Sequence, residues 1–75
     1  MTIVKIKTEP VELYKILKFQ GLASSGGEAK DAIAAGVVKV NGNTETQKRK
    51  KIVAGDTIEF EEQKLDIQLD TSADS

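Results

Sequence analysis

A chain of 75 residues, 39% hydrophobic and 31% charged, is enough for one small domain with a thin core and leaves no room for a large enzyme pocket. The absence of Cys and His removes disulfides, thiolate nucleophiles, imidazole bases and the commonest transition-metal ligands, zinc included. A net charge of -1 conceals an uneven distribution: residues 15–51 carry eight bases against Glu28, Asp31 and Glu45, a balance of +5, whereas residues 52–75 set Lys64 against seven acids, a balance of -6.

The N-terminal residues MTIVKIKTEP lack the longer apolar core of a secretory signal, and no apolar run is long enough to span a membrane, so a cytoplasmic protein with no membrane partner is expected. Residues 2–7 alternate Ile3, Lys5 and Lys7 with Val4 and Ile6, which predicts a short strand. Thr8 before Glu9 and Pro10 is a helix-start signal, because Thr caps free N–H groups and Pro in the first turn loses no needed hydrogen bond. This first helix is expected to run to about Phe19, with Leu13, Ile16, Leu17 and Gln20 at helical spacing and Val11 joining from the first turn. Lys15 and Lys18 then share an outer face, and Gly21 stops the helix in a left-handed conformation.

Ser25 followed by Glu28 fits a capping box, with Ser24 as the alternative cap, and such a cap is worth roughly 1 kcal/mol. The second helix turns Ala29, Ala32 and Ile33 inward and ends at Gly36. Val38 and Val40 then alternate with Lys39 in a strand, and Asn41-Gly42 with Asn43 beyond is a hairpin-turn signal. Residues 44–51 are polar and basic. Ala54-Gly55-Asp56 reads as another turn, residues 57–60 as a strand with Ile58 and Phe60 on one face, and residues 64–69 as a last strand. The acidic outer face of that last strand, at Asp66, is expected to discourage edge-to-edge pairing. Residues 1–69 are expected to form a single domain without internal repeats, and residues 70–75 a disordered polar tail.

Motifs for catalysis fall short. Gly21 and Gly26 have the spacing that opens a Walker loop, yet Gly27 and Glu28 stand where Lys and Ser or Thr are needed. Glu61 and Glu62, read as adjacent strand residues, point to opposite faces and cannot share a proton. Asp66 and Asp70 do not make up the oxygen cage of a divalent ion. No cofactor, no metal and no catalytic residue is therefore expected.

The basic residues make the stronger case. Lys15, Lys18, Lys30, Lys39 and the run QKRKK, with Lys48, Arg49, Lys50 and Lys51, are candidates for one polyanion face around the start of the second helix. There Ser24, Ser25, Gly26 and Gly27 offer hydroxyl and backbone N–H groups to phosphate, and the Asn41 turn borders the same face. Structured RNA fits better than single strand, because Tyr14 is the one aromatic expected near the surface, with Phe19 and Phe60 assigned to the core.

The succession Leu13, Leu17, GLASSGGEAK, Ile33, Gly36, Val38, VNG at residues 40–42, AGD and Ile58 resembles the RNA-binding domain named after ribosomal protein S-four, the alpha-L motif, over about residues 10–60. The basic run leading into KIVAGD is similar to the small stand-alone bacterial form of that domain. The resemblance implies an α/β (α+β) fold of two short helices on a small, mostly antiparallel sheet. It further implies a non-enzymatic monomer that contacts structured RNA, ribosomal or transfer RNA, through Ser24, Ser25, Lys30, Lys39, Lys48, Arg49, Lys50 and Lys51. Ribosome assembly or translation is the role it suggests. Many members are Arg-rich where this chain has Gly26-Gly27, and the acidic last third has no counterpart in that pattern. VNGN followed by AGDTIEF also resembles the sheet half of ubiquitin-like sulfur carriers. Ala73-Asp74-Ser75 is not the Gly-Gly end such carriers use, so the alternative is a protein-interaction module of that type without carrier activity.

Overall fold

The computed structural model describes residues 2–70. The elements in chain order are β1 (Thr2–Ile6), β2 (Val11–Glu12), α1 (Leu13–Phe19), α2 (Gly26–Ala34), β3 (Val38–Val40), β4 (Asn43–Thr44), β5 (Lys51–Ile52), β6 (Thr57–Phe60) and β7 (Gln63–Leu69). Five strands form one sheet in the order β1-β7-β6-β3-β4, and β2 and β5 form a separate two-stranded ladder. All pairings are antiparallel except β1 with β7. The architecture is α+β with two short helices and a mostly antiparallel sheet, as the resemblance implies.

Alternation decides the layers. Val4, Ile6, Val38, Val40, Ile58, Phe60, Leu65 and Ile67 lie on one sheet face and are buried together with Leu13, Ile16 and Leu17 of α1, Ala29 and Ile33 of α2, and Ile52 of β5. The register holds these residues side by side, Val4 beside Ile67, Ile58 beside Leu65 and Val40, and Val38 beside Phe60. Lys39, Glu59 and Lys64 occupy successive positions across the opposite face.

The last strand sits inside the sheet rather than at its edge. Strand β1 returns to pair with β7 in parallel, so β1 and β4 are the edges and Asp66 guards none. The Asp70 N–H donates to the Ile6 carbonyl at 2.7 Å, one residue beyond β7. Residues 71–75, the rest of the expected tail, lie outside the described residues. Glu61 and Glu62 form the β6–β7 hairpin turn, with Glu61 at φ 57, and so are not strand residues.

The first helix begins later than its local signal. Its cap is Glu12, which makes no side-chain hydrogen bond, and Thr8 plays no part. Residues 11–12 are extended because they pair with β5, Val11 opposite Ile52 and Glu12 opposite Lys51. The Glu9 carboxylate, which could have served a first turn, instead accepts the Ala54 N–H at 2.8 Å. Tertiary pairing overrides the Thr-Glu-Pro signal here. Phe19 is 70% exposed and not in the core, since it lies four residues beyond Lys15 on the outer face while Leu13, Ile16 and Leu17 take the inner one. Gln20 is likewise exposed, as the C-cap.

Candidate nucleic-acid interface

The basic loop has a fixed seat. At the start of α1 the Leu13 N–H donates to the Lys50 carbonyl at 2.9 Å and the Tyr14 N–H to the Lys48 carbonyl at 3.3 Å. These carbonyls satisfy N–H groups that a helix start leaves without intrahelical partners, in place of the side-chain cap expected from Thr8. Within the loop the Lys50 N–H bonds the Gln47 carbonyl and the Gln47 N–H bonds the Glu45 carboxylate. The side chains of Lys48, Arg49, Lys50 and Lys51 are exposed on a backbone tied to α1, where QKRKK alone gives no reason for order.

The second helix start follows its sequence signal with one shift. The Ser25 hydroxyl accepts the Glu28 N–H at 3.1 Å, as an N-cap does. The Glu28 carboxylate reaches back to Ser24 rather than to Ser25, taking the Ser24 hydroxyl at 2.6 Å and the Ser24 N–H at 3.5 Å. Both serine hydroxyls are therefore engaged in capping. The Gly26 and Gly27 N–H groups, at the positive end of the helix dipole, donate to no partner among the described residues.

Tyr14 joins the two helix starts. Its ring packs against Gly26, where a Cβ would lie 3.7 Å from the Tyr14 Cδ2 and Cε2 atoms. The Lys30 Nζ lies 4.6 Å from the ring centroid and the Lys15 Nζ 6.0 Å from it. The ring quadrupole attracts both ammonium groups, each by about 0.5–1 kcal/mol at a partly exposed site. Tyr14 thus touches Lys15, Gly26 and Lys30 through its ring and the basic loop through its N–H. The sequence placed Tyr14 near the surface but gave it no role; only the fold reveals this one.

Glu12 is the second residue that spacing did not single out. Its carboxylate lies 3.2 Å from the Lys15 Nζ and 3.7 Å from the Arg49 Nε. Its strand partner is Lys51, so an acid sits inside the basic cluster.

The remaining candidates fall in different places. Lys18 is exposed in the last turn of α1, four residues beyond Tyr14 and on the same side as Lys15. Lys39 does not join the group, because the alternation that buries Val38 and Val40 turns it to the sheet face away from the helices. Asn41 has its side chain committed to the neighbouring turn: its Nδ2 donates to Asp56 Oδ1 at 3.0 Å and its Oδ1 accepts the Thr57 N–H at 2.9 Å. With φ of 53 at Asn41 and 83 at Gly42, the hairpin is the two-residue type expected from Asn-Gly. Among the described residues no helix is long and apolar enough to cross a membrane.

Comparisons with known proteins bear on this arrangement. The model of the S4 domain family matches residues 4–68. YbcJ of Escherichia coli (strain K12) and YbcJ of Shigella flexneri are each 58% identical to this chain over 50 residues, 67% of this chain and 71% of the relative. The solution structure of YbcJ from E. coli, described as revealing an alpha-L motif involved in RNA binding, superposes with a TM-score of 0.70 at 45% identity, covering 91% of this chain and 87% of that one. With a family pattern spanning nearly all of its ordered elements and a relative this similar, the chain belongs to the S4 domain family.

Proposed function

We propose that this protein binds structured RNA, ribosomal or transfer RNA, through phosphate contacts on the face built around Tyr14, and that it serves ribosome assembly or translation in the cytoplasm as a monomer without catalysis of its own. The observation that carries the reading is the seating of the basic loop: hydrogen bonds from Leu13 and Tyr14 to Lys50 and Lys48 bring the loop to the residue whose ring carries Lys30. Cations from three segments then meet the polar first turn of α2, the combination that positions a phosphate backbone without reading bases. Membership in the S4 domain family, and the RNA-binding motif described for E. coli YbcJ, support the same reading. Lys15, Lys18, Lys30 and the loop residues Lys48, Arg49, Lys50 and Lys51 supply charge. Gly26 and Gly27 supply backbone donors. Ser24 and Ser25 shape the helix start, while Asn41 braces the hairpin. No observation favours the ubiquitin-like docking module.

Titration with a hairpin-containing ribosomal RNA fragment and with a transfer RNA, across a range of salt, tests the proposal. If about four phosphates are neutralised, affinity falls on the order of 50-fold between 50 and 200 mM salt. Binding indifferent to salt, or an unpaired oligonucleotide of equal length bound as tightly, overturns it. Capture from lysate with and without ribonuclease tests the ribosomal role: ribosomal partners that vanish after digestion support it, and their absence before digestion counts against it.

A further inference from the structure

Glu12 is an acid set directly among Lys15, Arg49 and Lys51, and its position is held from two sides. The strand pairing of Glu12 with Lys51 fixes its backbone, and the helix that begins at the next residue fixes the direction of Lys15 relative to it. Its carboxylate faces the Lys15 ammonium at 3.2 Å and the Arg49 guanidinium at 3.7 Å, with the Glu12 side chain 30% and the Arg49 side chain 70% exposed. These are the two ion pairs found among the described residues, and both belong to the same carboxylate. Ion pairs this exposed are worth at most about 1 kcal/mol, so they are weak as struts for the fold. The loop is secured without them by the main-chain bonds from Leu13 and Tyr14.

A carboxylate between a guanidinium and an ammonium occupies the position that a phosphate oxygen takes when the same cations bind RNA. We propose that Glu12 is an internal competitor for the RNA phosphate: it holds Arg49 and Lys15 while no RNA is bound, and an incoming phosphate takes them over. The inference rests on the RNA-binding reading above and deepens it, since Glu12 then sets how tightly the face binds and how steeply binding depends on salt. Glu12 contacts no RNA itself. It acts through Arg49 and Lys15, and so is a positioning residue for the phosphate site.

Two readings of Glu12 predict opposite outcomes. As a strut for the loop, its loss would slacken the basic face and weaken binding; as a competitor, its loss frees cations and tightens binding. Glu12→Gln keeps the shape and removes the charge. One more phosphate neutralised is worth about fivefold in affinity at 0.1 M salt and steepens the logarithmic salt slope by about 0.7. The expected result with a ribosomal RNA hairpin is therefore a roughly fivefold tighter complex and a steeper slope. In a Lys15→Gln, Arg49→Gln background the gain from Glu12→Gln disappears, because the cations it competes for are gone. A folded Glu12→Gln protein that binds RNA no better than the wild type overturns the proposal, as does a gain that survives in that background. Should Glu12→Gln fail to fold, the wild-type protein still decides: the Arg49 Nε–H resonance must move on addition of RNA, and a resonance that stays in place overturns the exchange of partners. A wild-type protein that binds no structured RNA at all removes the parent reading and this one together, whereas wild-type binding without a Glu12 effect removes this one alone.

Discussion

The Lys30 ammonium stands 4.6 Å from the centroid of the Tyr14 ring, which places a cation of α2 on an aromatic of α1. The ring restrains a long, rotamer-rich side chain close to the first turn of α2, so less conformational freedom remains to be lost when a phosphate arrives. Tyr14→Phe keeps the ring face, and its RNA affinity should stay within about twofold of the wild type. Tyr14→Leu keeps apolar bulk but removes the ring. A contact of about 0.5–1 kcal/mol corresponds to a two- to fivefold loss of affinity. Fluorescence anisotropy with a labelled RNA hairpin measures both variants. If Phe and Leu have the same affinity, the ring has no part in presenting Lys30.

Much of the fold could be read from local chemistry. Ser25 with Glu28 marked the start of α2, Gly36 at φ 80 its end, and Asn41-Gly42 the turn that sets the register of β3 and β4. These signals act over a few residues, and tertiary structure does not oppose them. The start of α1 departs from its local signal for the opposite reason: the pairing of Val11 and Glu12 with residues some forty positions further along holds as strand what Thr8 and Pro10 propose as helix. Phe19 shows the limit of residue type as a guide, because helical position alone turned it outward beyond Lys15. The basic residues of the candidate site were visible in composition. Their convergence was not, since it depends on two carbonyls of the loop capping a helix more than thirty residues earlier. Lys39 was grouped with them by charge and separated from them by the period-2 alternation of its own strand.

Gly27 separates what the fold needs from what a ligand needs. It lies inside α2 without a left-handed φ, and a Cβ there would meet only the Ser25 hydroxyl at 3.9 Å. Glycine in a helix costs roughly 0.5–1 kcal/mol relative to alanine, so Gly27→Ala should stabilise the protein. For a domain of this size about 0.5 kcal/mol raises the melting temperature by roughly 2–4 °C, which differential scanning calorimetry resolves. A phosphate drawn up to the Gly26 and Gly27 N–H groups would meet the new methyl, so RNA affinity should fall while stability rises. A variant that gains stability and keeps full affinity shows that the phosphate does not approach the backbone at Gly27.

Lys30 and Lys39 carry the same charge on opposite sides of the molecule, and reversing each in turn tests whether the binding face is a place or merely a surplus of charge. Lys30 lies on α2 over Tyr14, within the cluster that includes the basic loop. Lys39 lies on the outer sheet face, with Glu59 and Thr44 as its cross-strand neighbours. Lys30→Glu removes one cation from the phosphate face and adds a repulsive charge, and should lower RNA affinity by about tenfold and flatten the salt slope by about 0.7. The melting temperature should fall by only about 2–8 °C, because Lys30 forms no ion pair among the described residues and gives up only its contact with the Tyr14 ring, about 0.5–1 kcal/mol. Lys39→Glu changes the net charge of the protein by the same amount. Binding governed by overall charge would weaken equally in both variants. Binding to a defined face spares Lys39→Glu, whose affinity should stay within about twofold of the wild type at moderate salt, since most long-range repulsion is screened beyond about 10 Å. Equal losses in two folded variants would exclude Tyr14 and its surroundings as the centre of the interface.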